Sequence, residues 1–176
     1  MSSFIFAFLS LLIKKLWPVI LIVLLLIGIT FYVALIRREK QRIEEIKEDI
    51  HALADSVLEV TSEEFFDIRS SRYGGRGGKY VSTEMDFAGV YILHNHTKDM
   101  FYVGQAKRVF QRVNNHFTGH GNGDVYADYK YGDYFTIKMI NFENSGFESL
   151  NELERDAIMT YDAYSNGYNK TSGNRG

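Results

Sequence analysis

From Leu16 to Ile36 the chain runs 21 residues without a charge, more apolar length than a small soluble core can surround. As a helix at about 1.5 Å per residue this run is ~31 Å long, close to the hydrocarbon thickness of a bilayer. Trp17 stands at one end and Tyr32 near the other, and Pro18 falls where the first turn of a helix tolerates it. A cleaved signal peptide would show a basic start, a shorter apolar core and a small-residue cleavage site. Here Met1-Ser2-Ser3 is uncharged, and bulky Phe31, Tyr32 and Leu35 occupy the end of the run. Residues 1–36 are therefore expected to hold a retained transmembrane helix at about 16–36. Two lysines, Lys14 and Lys15, precede the span, whereas Arg37, Arg38, Lys40, Arg42 and Lys47 follow it. That bias predicts a single pass through the inner (cytoplasmic) membrane, with the N-terminus outside and the rest of the chain in the cytoplasm. Phe4 to Ile13 is too short to span alone and either extends the helix or lies along the outer interface.

Beyond the span, apolar residues fall at Ile43, Ile46, Ile50, Leu53, Val57 and Val60, the 3-4-3-4-3 rhythm of a heptad seam. Residues 37–66 thus read as a helical connector. Its stripe serves either a parallel homodimer through 43–60 or packing on the chain's own globular domain. Residues 67–86 carry Arg69, Arg72, Arg76 and Lys79, with four glycines between Gly74 and Gly78, and read as a flexible basic linker. Such cations suit contact with phosphates that does not read bases.

The remaining stretch, 87–176, alternates short strand and helix signals. Gly89-Val90-Tyr91-Ile92-Leu93, a polar turn from His94 to Asp99, and Phe101-Tyr102-Val103-Gly104 predict a β-hairpin. Val109, Phe110, Val113 and Phe117 mark a helix over 106–117, on which Arg112 and His116 are i and i+4 and share a face. A strand over 134–142 and a helix over about 148–164 follow. Glu154 lies on that last helix's apolar stripe, four residues from both Leu150 and Ile158. A carboxylate on such a stripe must be ion-paired, with Arg112 for example, or hydrogen-bonded, or bound to a metal. The fold class is α+β: a small three-stranded antiparallel sheet flanked by helices, in the order β-β-α-β-α. His94, His96 and Asp99 read as turn residues, and the tyrosines from Tyr126 to Tyr134 as a connection.

Composition limits what such a domain binds. The net charge of −2 supplies no global field to attract nucleic acid, and residues 87–176 hold nine Lys and Arg against ten Asp and Glu. The chain has no cysteine, which excludes disulfides and thiolate metal sites.

The ordered set Tyr91, Tyr102, Gly104, Arg112, His116, Glu154 and Asn169 resembles the GIY-YIG endonuclease family from Phe87 to about Gly173, with Val for Ile in both tripeptides. The resemblance implies a DNA endonuclease that leaves the 5′ end phosphorylated. It implies that Glu154 holds a single divalent cation, Mg²⁺ or Mn²⁺. Tyr91 is implied to position or activate the attacking water, and Tyr102 to orient water or phosphate. Arg112 neutralises the scissile phosphate, His116 assists proton transfer or phosphate binding, and Asn169 props the site. Gly104 allows close backbone approach and counts with Arg69, Arg72, Arg76 and Lys79 as nucleic-acid-binding. Family members that cut specific sequences usually carry a separate DNA-binding domain, so little sequence specificity is expected here. A membrane-tethered nuclease of this kind is expected to meet incoming DNA, such as that of a phage. The competing reading is a catalytically inactive nucleic-acid-binding or interaction module at the membrane.

Overall fold

The computed structural model describes residues 2–75 and 77–173. They form two compact units, one up to Glu45 and the other from Ile46. In chain order the elements are α1 (Ser2–Ser56), β1 (Val60–Thr61), α2 (Ser62–Ser70), α3 (Val81–Glu84), β2 (Gly89–Asn95) and β3 (Met100–Ala106), then α4 (Val109–Phe117), α5 (Gly123–Lys130), β4 (Phe135–Asn141) and α6 (Leu150–Thr160).

The described residues of the first unit are all helical. Residues 4–13 continue the helix, so Pro18 lies in its interior and not in a first turn. A proline there leaves the carbonyl four residues earlier without its usual N–H donor. Apolar side chains of the expected span are exposed, Leu25 and Phe31 by 64% and 66%. Among the described residues, α1 is the one helix long and apolar enough to cross a membrane.

The second unit is a four-stranded antiparallel sheet in the order β1-β4-β2-β3, one strand more than expected. The extra strand is β1, whose Val60 and Thr61 pair with Ile137 and Thr136. Two residues are too few to show a period-two pattern. Central β2 is covered on both faces, which is why Gly89 to Leu93 is apolar without alternation. On one face Tyr91, Leu93, Phe135 and Ile137 pack with α2 and α4 through Phe65, Phe110, Val113 and Phe117. On the other, Val90, Ile92, Val103 and Ile140 pack with α1 and α6 through Ile50, Ala54, Leu153 and Ala157. The heptad stripe is thus largely spent within the chain. Ile50 is fully buried, Ile46, Leu53 and Val57 pack against the same cluster, and Val60 has left the helix for the sheet. Of the two readings of this stripe, packing on the chain's own globular domain is the one its buried residues follow.

The stretch read as an open linker is instead folded. α2 starts with a capping box between Thr61 and Glu64, and its buried Phe65 stacks on Phe110 at 5.9 Å. After α2 the chain turns back on itself: Tyr73 N donates to Lys79 O, and Val81 N to Ser71 O. Positive φ at Gly74, Gly75 and Gly77 makes the reversal, so these glycines shape a turn. Asp86 then reaches forward to α4, accepting from Phe110 N at 2.9 Å and Gln111 N at 3.4 Å. It supplies the capping acceptor that Arg108, at the cap position, lacks. Helix α5 lies where a connection was expected; the Asn122 side chain caps it by accepting from Asp124 N and Val125 N.

If the heptad stripe is core, Ile50→Ala should lower unfolding free energy by about 2–4 kcal/mol. Leu58→Ala, at a position 74% exposed, should stay within about 0.5 kcal/mol. Urea denaturation of both variants in detergent micelles checks this.

Candidate active site

The site is built outward from the pairing of β2 with β3. Tyr91 lies opposite Gly104 in the register, and its ring fills the space a side chain there would need. A Cβ on Gly104 would clash with the Tyr91 hydroxyl and lie 2.7 Å from Cζ. Gly104 is therefore glycine for the sake of the tyrosine, within the protein. Tyr102, the next residue on that face of β3, has its ring 6.1 Å from that of Tyr91.

Helix α4 presents Arg112 and His116 to this face, as their spacing predicts. His116 is fully buried, and its Nε2 lies 2.9 Å from the Tyr91 hydroxyl. Its other nitrogen, Nδ1, accepts from the backbone N–H of Asn122 at 2.9 Å. An acceptor at Nδ1 assigns the proton of the neutral ring to Nε2, so His116 donates and the Tyr91 oxygen accepts. Burial, and then Arg112, lower the His116 pKa to about 3, which keeps the ring neutral. Burial, reinforced by Tyr102, pushes the Tyr91 phenol well above its ordinary pKa, with Arg112 opposing. His116 is thus a fixed donor to Tyr91 and not its base. The loop can approach His116 because residue 121 is glycine; a Cβ there would lie 2.6 Å from Nδ1.

Glu154 comes from α6, on the other side of the sheet, and meets the outer edge of β3. Its Oε1 accepts from Gln105 N at 3.1 Å and its Oε2 from Gln105 Nε2 at 2.8 Å. Gln105 Nε2 also donates to Asn151 Oδ1. Asn169 clasps the same edge: Oδ1 accepts from Val103 N at 2.9 Å, and Nδ2 donates to Val103 O at 2.7 Å. Tyr102, Arg112, Glu154 and Asn169 line one cleft of about 420 Å³, together with Gly121, Asn122, Ile158, Lys170 and Thr171. Tyr91 and His116 are buried and are not among its lining residues.

A family model, the GIY-YIG catalytic domain, matches residues 87–169. This part of the chain belongs to the GIY-YIG family. The matched region spans both tyrosines, Arg112, His116, Glu154 and Asn169. Among solved structures, the chain is similar to a variant of the catalytic domain of intron endonuclease I-TevI. The two share 24% identity over 51% of this chain and 98% of the other, with a TM-score of 0.39. None of the curated proteins compared matches the sequence.

Within this GIY-YIG domain, no group of three or more His, Asp or Glu side chains converges on one point among the described residues. Among the described residues Glu154 is the carboxylate lining the cleft, and neutral Gln105 donors hold it with no cation paired to it. Each of its oxygens keeps a lone pair. One held carboxylate facing a solvent-filled cleft fits Mg²⁺, which keeps most of its waters and takes few protein ligands.

The expected nucleic-acid contacts are dispersed. Arg72 donates to Gly78 O and lies over the Tyr80 ring at 4.5 Å, while Lys79 is 2.7 Å from Glu84. Arg69 is near Phe66 at 5.7 Å, and Arg76 lies outside the described residues. His94 and Asp99 meet at 3.0 Å within the hairpin, as turn residues do. Sequence reasoning missed Gln105, Asn122 and Lys170. Only Asn122 left a local signal, an Asn-Gly-Asp start to a helix.

The His116 assignment gives two readouts. In ¹⁵N-histidine spectra of the whole chain, His116 should show a protonated Nε2 and a bare Nδ1 with no titration between pH 5 and 8; a ring titrating near 6.5 would contradict it. Its folded pKa of about 3 lies below the ordinary 6.5, so between those values the unfolded chain binds the extra proton. The His116 contribution to stability is complete above about pH 6.5 and is lost as pH falls toward 3. The slope reaches at most about 1.4 kcal/mol per pH unit.

Proposed function

We propose that this chain is a Mg²⁺-dependent DNA endonuclease with little sequence specificity, tethered to the inner membrane with its nuclease domain in the cytoplasm. One observation carries the catalytic reading: Tyr102, Arg112, Glu154 and Asn169 converge on a single cleft from β3, α4, α6 and the C-terminal segment. A decayed site would retain its fold with less reason to keep all four in one place.

In this reading the scissile phosphate sits against Arg112, whose planar guanidinium offsets charge on the phosphoryl oxygens. Tyr102, at the cleft wall, orients water or a phosphate oxygen through its hydroxyl. Tyr91 accepts from His116 Nε2, which leaves its own hydroxyl hydrogen free to be donated to Tyr102, the tyrosine that lines the cleft. The same donor, with Arg112, would steady negative charge on the Tyr91 oxygen if its proton leaves. Glu154 would hold the cation, which when bound supplies Lewis-acid stabilisation of the phosphoryl group, a role Mn²⁺ also fills. Gln105 fixes both oxygens of Glu154, and Asn169 fixes the strand that carries Tyr102.

The tether rests on the uncharged run at 16–36 and its orientation on the two flanking clusters of lysine and arginine. Confinement to a thin shell raises effective concentration for DNA crossing that shell and lowers it for the chromosome. The proposed substrate is accordingly incoming DNA, such as that injected by a phage.

Plasmid nicking by the full-length protein in detergent tests the chemistry. Glu154→Gln should abolish Mg²⁺-dependent cleavage, and Arg112→Ala should lower it by roughly 10²-fold or more. Gln105→Ala should lower it roughly 10- to 100-fold and raise the Mg²⁺ needed. Wild-type rates from Glu154→Gln would remove Glu154 from its role. Digestion of a C-terminal tag by protease added outside intact spheroplasts would reverse the orientation. Equal restriction of phage DNA by protein lacking residues 1–36, without harm to the host, would remove the tether from target choice.

A further inference from the structure

A second pocket, of about 210 Å³, opens between the α2–α3 segment and α4, and is lined by Arg69, Ser82, Thr83, Arg108, Gln111 and Asn114 among others. We infer that it holds a backbone phosphate of bound DNA next to the scissile one, an inference that rests on the nuclease reading above. Two arginines, Arg69 and Arg108, are part of its wall. Arg69 has no carboxylate partner among the described residues; its guanidinium lies near the Phe66 ring, which fixes the side chain without neutralising it. Arg108 meets Asp86 through Nε at 3.3 Å. The Asp86 side chain is only 3% exposed, and its oxygens also serve the first N–H groups of α4. One carboxylate shared between Arg108 and the helix start stands against two arginines, so the pocket keeps a positive balance.

The polar lining matches the same ligand. Thr83 is exposed and Gln111 is exposed, so a hydroxyl and an amide stand at the rim. Asn114 is half-buried in the pocket wall, and its Nδ2, not its acceptor Oδ1, is the atom able to donate to a phosphate oxygen. Arginine, hydroxyl and amide groups are those that contact phosphate oxygens in protein–DNA interfaces, where they set register without reading sequence.

Position agrees with chemistry. Arg108 and Arg112 are separated by one turn of α4, about 5.4 Å along its axis. Successive nucleotides of one strand advance about 3.4 Å along the duplex axis. If the bound strand runs along α4 with its scissile phosphate on Arg112, a phosphate one or two nucleotides away falls at the level of this pocket. Arg69, Ser82 and Thr83 precede residue 87, so the flanking contact is added to the GIY-YIG domain by segments outside the match.

The test separates binding from cleavage. Full-length protein in nonionic detergent is titrated into a fluorescent 20-base-pair duplex in EDTA, at a series of KCl concentrations, and anisotropy is read. Arg69→Gln and Thr83→Asp, the latter at an exposed rim position, should each weaken binding roughly tenfold at low salt. Arg69→Gln should also reduce the slope of log affinity against log salt by about one. Lys40→Gln, a cation of the other compact unit, should leave both unchanged. With Mg²⁺ restored, both pocket variants should raise KM with kcat retained. Unchanged affinity and slope in both variants, or an equal loss from Lys40→Gln, would overturn the assignment. So would displacement of DNA by phosphatidylglycerol in the micelles from wild type but not from the variants, which would assign the pocket to lipid headgroups. If wild type binds as expected but never cleaves, the nuclease reading fails and the pocket stands.

Discussion

The outward-facing backbone groups of β3 constrain this structure more than any other feature. β3 is an edge strand, and its groups at Phe101, Val103 and Gln105 point away from β2. Tyr168 N donates to Phe101 O, the Asn169 carboxamide serves both backbone groups of Val103, and Glu154 accepts from Gln105 N. A buried polar group left unpaired costs about 1–3 kcal/mol. Satisfying the edge and assembling the cleft are therefore one event. Asn169 is held by main chain, whose position the sheet dictates, and Glu154 by the main chain and side chain of Gln105 together. That is the kind of support a site needs if its groups are to be in place before substrate arrives.

Electrostatics inside the domain follow the same economy. With the charge of 87–176 near balance, no broad field directs DNA to the cleft. Positive charge at the cleft is local: Arg112 on its wall, and Lys170 at its rim beside Asp124 at 3.3 Å. Both members of that exposed pair are well solvated, so their attraction contributes little to stability. His116 carries no charge into this setting. Its neutrality lets a ring sit fully buried among aromatic side chains while still offering a directed N–H to Tyr91.

What could be read from the sequence was local. The hairpin, the shared face of Arg112 and His116, and the placement of Glu154 on the apolar stripe of the last helix each depend on spacings of two to four residues. The partners of those residues are distant in the chain. Glu154 meets Gln105 across 49 positions, and Asp86 caps a helix 24 residues ahead. No periodicity encodes such pairs. β1 is too short for a pattern, and α2 lies against a basic glycine-rich stretch whose composition resembles a tether. The heptad rhythm was real but ambiguous, since a stripe that would suit a second helix also suits the face of a sheet. Gly104 was expected to allow close backbone approach as one of the nucleic-acid-binding residues, and what lies against it is a side chain of the protein itself. Its neighbour turned out to be Tyr91, because the cross-strand register had to be known first.

The capping of α4 by Asp86 bears on where this nuclease begins as a physical object. The family match starts at residue 87. A fragment cut there loses the acceptor for the first N–H groups of the helix that bears Arg112 and His116, a loss of about 1 kcal/mol. It also loses Phe65, which stacks on Phe110, and β1, which covers the edge of β4. A hole the size of a phenylalanine in a core costs about 3–5 kcal/mol more, which is comparable to the whole stability of many small domains. The boundary drawn by shared ancestry and the boundary drawn by cohesion are different residues. An excised catalytic core that proved inactive would report on the cut before it reported on the chemistry.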